Sequence, residues 1–188
     1  MVDAQQPAGY PRNRRGYSGT TGPGRRGIAV NGRGLGIIWL TFGIALLLTI
    51  LPLPEWARPL RPQWVTLVLL YWCLALPHRI SVGTGFVLGL LLDVLTGTLL
   101  GQHALTLSLV SYITVQLHAR IRVFPLWQQA LVVLVLLTME QILAFWVMAI
   151  VGLRPPGLEY WAIPLIGALL WPWAFVTLRN VRRHFKVT

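Results

Sequence analysis

Six long apolar runs divide this chain, and no cation falls well inside any of them. They cover residues 35–53, 63–76, 80–100, 104–117, 126–151 and 160–178. An arginine or lysine at the centre of a membrane-crossing helix costs about 2.5–3.5 kcal/mol on insertion scales. Keeping all sixteen of them outside the runs is therefore an arrangement for a bilayer. No ten-residue stretch alternates polar with apolar, as a spanning barrel strand would. We expect an all-α integral membrane protein built as a bundle of six transmembrane helices.

Composition narrows the class further. Of 188 residues, 55% are apolar and 11% are charged, where a soluble domain has about 25% charged. Too few charged residues remain to cover a soluble enzyme, and the apolar content excludes disorder throughout. Cys73 stands alone, so no disulfide framework exists. The formal charge of +11 would suit a nucleic-acid partner, but the hydropathy does not, and topology accounts for the charge without one.

Six spans put both termini on one side. With the termini in the cytoplasm, thirteen cations fall inside: six in residues 1–34, then Arg79, Arg120 and Arg122, then Arg179, Arg182, Arg183 and Lys186. Only Arg58, Arg61 and Arg154 fall outside, with Glu55 and Glu159. Excess lysine and arginine marks the cytoplasmic side. Aromatic rings that anchor at the interface cluster near span ends, among them Trp39, Trp56, Trp64, Trp127, Tyr160 and Trp161. Residues 1–34 carry no helical or strand period and read as a disordered basic cytoplasmic tail, attracted to anionic lipid headgroups where it nears the membrane. No secretory cleavage site follows the first apolar run, and the arginine pairs lie too far from it for a twin-arginine signal. Residues 179–188 form a second basic cytoplasmic end.

The second run is short. Fourteen residues rise only about 21 Å, so either its flanks enter the membrane or the bilayer thins there. The third run carries Ser81, Gly85, Gly89, Asp93, Gly97 and Gly101 at steps of four. Such residues stay on one slowly turning helix face, where small side chains let another helix come close. The series reads first as a packing seam and second as a face for a ligand or partner helix. The glycines of residues 83–89 do not have dinucleotide-fingerprint spacing, and they lie in a span.

Two acids lie within spans, Asp93 and Glu140. At about 1.5 Å per residue both sit roughly 20 Å from the inner boundary, so they can share one polar spot in the outer half. His103, Gln102 and Gln141 are candidate partners. Buried carboxylates in a membrane face the bundle interior and pair there. Three readings stand side by side: an internal polar lock, a proton or substrate pathway, and a docking point for a partner's transmembrane helix. Asp93→Asn should be tolerated by a lock and abolish function if a proton is moved.

No catalytic set is visible. His78, His103, His118 and His184 lack a metal spacing and lie near boundaries. Cys73 has no histidine beside it, and Ser81, Ser108 and Ser111 lie on apolar segments with no base nearby. The residues require no cofactor and no metal, and we expect a protein that is not an enzyme.

Several motifs resemble the MreD family of rod shape-determining proteins. They are Arg61-Pro62-Gln63-Trp64, Leu69 to Arg79, Val82 to Gly89 with Asp93, Leu99-Leu100-Gly101-Gln102, Leu126 to Leu131, and Leu170-Trp171-Pro172-Trp173. The resemblance covers about residues 36–188, and the basic tail departs from the shorter one associated with the family. It implies an inner-membrane member of the bacterial elongation machinery, acting with the bitopic protein MreC, the actin-like MreB filament, and the RodA–penicillin-binding protein pair that makes lateral-wall peptidoglycan. It also implies a six-span bundle similar to the substrate-binding subunit of energy-coupling-factor transporters. It brings no catalytic residues. A transporter subunit for a small molecule or lipid is the competing expectation. A roomy outward cavity with converging polar groups would favour it, and dry packing around Asp93 and Glu140 would favour the scaffold.

Overall fold

The computed structural model describes residues 32–52, 61–152 and 157–185. The tail through residue 31, the loop residues Glu55, Trp56, Arg58 and Arg154, and Lys186 lie outside the described residues, as do the side chains of Arg33 and Glu159. Among the described residues there are six α-helices and no strand: α1 (Gly32–Ile50), α2 (Trp64–Ala75), α3 (Val82–Thr96), α4 (Gln102–Ile121), α5 (Leu126–Ile150) and α6 (Ile163–His184). A short 3-10 helix, Leu158–Ala162, leads into α6.

Proline and glycine set the helix ends. α1 stops before Leu51-Pro52, and α2 stops before Leu76-Pro77, because the residue preceding a proline is driven out of the helical region. α5 starts just after Pro125, whose missing N–H matters least at a helix start. α3 ends at Thr96, four residues short of its apolar run, because Gly97 adopts a left-handed conformation with φ 66°. Conversely, α4 extends beyond its run at both ends, and α6 continues through the basic residues to His184 despite Pro172. Arg179, Arg182 and Arg183 of the basic end thus lie in the last turns of α6.

α2 is the hub. It packs against α1, α4 and α6, and nine of its twelve residues are buried. A helix enclosed by protein need not match the bilayer thickness on its own, which resolves its shortness. Trp72 is fully buried there, and its Nε1 donates to Thr41 Oγ1 of α1 at 2.9 Å. Arg61 donates from its guanidinium to the carbonyls of Thr49 and Leu51. An arginine read from the sequence as an outer-loop cation thereby caps the C-terminal end of α1, where unpaired carbonyls point.

The tightest joint is between α3 and α4. A Cβ on Gly89 would stand 2.3 Å from Ala104 Cα, and one on Gly85 would stand 2.8 Å from the Leu107 carbonyl oxygen. The other members of the four-step series do different things. Ser81 is exposed at the N-cap of α3, and positions 97 and 101 have no atom within 4 Å of where a Cβ would be. The seam read from the sequence is therefore confined to Gly85 and Gly89, and α4 of the same chain occupies it.

The surface is apolar and the interior partly polar. Leu40, Leu47, Val94, Leu100, Val135 and Leu169 are all more than half exposed. Thr66, Gln102, Thr106, Ser111, Thr114, Gln129 and Gln141 are buried. Ser111 and Thr114 donate to carbonyls four residues back, at 2.7 Å each, which satisfies a hydroxyl where no water is at hand. Water would penalise this distribution, and hydrocarbon favours it. By length and composition Leu126–Ile150 and Tyr160–His184 suffice to cross a membrane, and Gly34–Ile50, Trp64–Ala75 and Val82–Thr96 are shorter apolar helices.

Candidate functional site

Asp93 lies in the last turn of α3, and the turn that follows folds back onto it. The positive φ of Gly97 and of Gly101 (101°) reverses the chain over a few residues, at angles that a side chain with a Cβ rarely adopts. The first amides of α4 then face the carboxylate. Gly101 N donates to Oδ2 at 2.8 Å and Ala104 N at 3.4 Å, while His103 N donates to Oδ1 at 2.9 Å. Thr98 Oγ1 donates to Oδ1 at 3.0 Å, and His103 Nδ1 lies 2.7 Å from the same oxygen. Asp93 is therefore an anionic cap on the N-terminus of α4, held by donors that a helix start leaves unpaired. The spacing of Asp93, Gly97, Gly101 and His103 was the signal for this turn. Four-residue periodicity concealed it, because it suggested a helix running on through Gly97.

Glu140 sits midway along α5 and is 3% exposed. Its Oε1 accepts from Thr66 Oγ1 of α2 at 3.1 Å, and its Oε2 is buried with no hydrogen-bond partner. It borders a cavity of about 310 Å³ that also takes in Gln63, Thr66, Gln102, His103 and Tyr160. The ends of α1, α3 and α5 and the starts of α2, α4 and α6 meet around this cavity, so successive helices run in opposite directions.

The expected common polar spot needs correcting. The two carboxylates share no hydrogen-bond partner: Asp93 has His103 and the amides of α4, and Glu140 has Thr66. Gln141 turns away and donates to the Tyr160 carbonyl, which ties α5 to the 3-10 turn. His103 links the two places, since it pairs with Asp93 and lines the Glu140 cavity. Thr66 went unnoticed in the sequence, although a threonine in an apolar helix was a usable sign.

Among the described residues the arrangement offers a binding feature. Ser108 and Ser111 donate to backbone carbonyls of their own helix, and Cys73 is buried in the core. No group of three or more His, Cys, Asp or Glu stands together among the described residues. A buried carboxylate oxygen without a donor can accept one from a proton, an ammonium or guanidinium group, or a neighbouring helix.

A family model described as rod shape-determining protein MreD matches residues 33–181. The chain belongs to that family. The matched stretch runs from the second residue of α1 into the last turns of α6, and includes both Asp93 and Glu140. The chain is also 38% identical over 155 residues to the rod shape-determining protein MreD of Haemophilus influenzae, an alignment covering 79% of this chain and 94% of that one. No solved structure matches. MreD proteins are membrane proteins of the rod-shape machinery, a structural family and not a known enzyme family. The apolar exterior described above fits that setting.

Proposed function

We propose that this chain is a non-enzymatic scaffold of the bacterial inner membrane. It crosses the membrane six times with both termini in the cytoplasm, and it maintains rod shape by binding an MreC-like bitopic partner. Through that partner it links the RodA–penicillin-binding protein pair to an MreB-like filament, directly or indirectly. The observation that carries the reading is the match to the MreD family over residues 33–181. The split of thirteen cations to three supports the orientation. An up-and-down bundle of six helices is what a likeness to energy-coupling-factor subunits would require, and that likeness is part of the proposal.

In this reading the Glu140 cavity receives a polar group from the partner's transmembrane segment. One carboxylate oxygen lacks a donor there, and supplying one stabilises a helix pair in the membrane by about 1–2 kcal/mol. The polar cavity beside Glu140 is the feature expected of a transporter subunit, which would use it for a ligand, but both matched descriptions concern shape determination. The test is depletion with copurification. Depleted cells should become round, and tagged protein should recover an MreC-like partner. Rods that persist on depletion, with no such partner recovered, would remove the reading.

A further inference from the structure

At the end of the bundle opposite Glu140, a cavity of about 340 Å³ lies where α2, α4 and α6 finish and α5 begins. Arg122, Arg179 and Arg182 all line it, together with Tyr71, Gln129 and Phe175. Arg179 and Arg182 are three apart on α6 and share a face. Arg122 comes from the far side, as the C-cap of α4. Three guanidinium groups repel one another at close quarters unless an anion or a hydrogen-bond network offsets them. Arg182 is already partnered and interacts with Tyr71, so the charges that call for an anion here are those of Arg122 and Arg179. Among the described residues the cavity lining holds no carboxylate, and Asp93 and Glu140 are bonded at the other end.

Gln129 adds a second kind of contact. Its amide nitrogen donates to the carbonyls of Ile121 (3.2 Å) and Phe124 (3.0 Å), which holds the turn between α4 and α5. Its Oε1 is buried with no partner, so the cavity presents an acceptor as well as cations. Beside Arg122 the chain exposes Val123, Phe124, Leu126 and Trp127. Arginine forks recognise phosphate oxygens, the amide oxygen suits a hydroxyl near the phosphate, and the apolar collar suits acyl chains. A basic pocket between membrane helices at the interface is a recurring form of headgroup site.

We propose that this cavity binds the phosphate of an anionic glycerophospholipid of the leaflet it faces. The arginines hold the phosphodiester, Gln129 accepts from a headgroup hydroxyl, and Val123 to Trp127 rest against the chains.

The test uses the full purified chain in a neutral detergent, with binding followed by native mass spectrometry. The probes are dioctanoyl phosphatidylglycerol, dioctanoyl phosphatidylcholine and inorganic phosphate. The wild type should bind phosphatidylglycerol at least about tenfold more tightly than either other probe, given the strength of charge-assisted hydrogen bonds. R122Q/R179Q should lose about tenfold or more, and R122K/R179K should retain most of the affinity. R120Q/R183Q removes the same charge from positions outside the cavity that are exposed as Arg122 and Arg179 are and should stay within about twofold. Equal losses in the two glutamine doubles would overturn the site in favour of diffuse charge attraction. Inorganic phosphate bound as tightly as phosphatidylglycerol would assign the cavity to a soluble phosphate and overturn the lipid. No saturable binding of any probe would remove the proposal altogether.

Discussion

Asp93 and Glu140 are both buried carboxylates on apolar helices, yet they stand in opposite states of satisfaction. Three backbone amides, a hydroxyl and an imidazole surround Asp93. Glu140 has one hydroxyl on one oxygen and nothing on the other. A fully satisfied buried charge holds a structure in one arrangement, whereas a half-satisfied one carries a cost that an incoming donor relieves. The difference ties Asp93 to the α3–α4 hairpin, and under the proposed function it makes Glu140 the acid that meets a partner.

The largest expected effect is at Asp93. Asp93→Ala takes the acceptor from the donors at the start of α4 and leaves His103 Nδ1 only Thr98, so it should destabilise the protein by about 3–5 kcal/mol. A collapse in folded protein recovered from membranes would register it; a normal melting temperature would break the assignment. Asp93→Asn keeps an acceptor and should lose about 1–2 kcal/mol, with rod shape retained wherever enough protein folds. Next comes Gly89→Ala, which pushes a methyl into the backbone of Ala104 and should cost about 1–3 kcal/mol in melting experiments. Its control, Gly83→Ala, has open space around the new methyl and should be neutral or slightly stabilising. Glu140→Gln keeps the volume and an acceptor for Thr66, so its stability should change by less than about 1 kcal/mol.

Much of the architecture was readable from the sequence because bilayers impose simple terms: apolar runs, cations at their borders, and proline or glycine at their ends. Less of the site was readable. Position within a run gives depth but not direction, so Asp93 and Glu140 looked alike and Gln141 looked like a partner. What separates them is the reversal at Gly97 and Gly101, which brings α4's amides to one acid only. Four-residue spacing could not distinguish a packing glycine such as Gly89 from a turn glycine such as Gly97, since both serve by lacking a side chain. The arginine cavity was hidden for another reason. Arg122 and Arg179 are remote in sequence and meet only because α4 and α6 end on the same side.

The central claim is that Asp93 serves the fold and Glu140 serves the partner. The most direct measurement replaces the wild-type protein with Glu140→Gln in cells, following cell shape, protein level and recovery of the MreC-like partner together. The account predicts a normal protein level, round cells and reduced partner recovery. Rod-shaped cells with full partner recovery at the same protein level would contradict it.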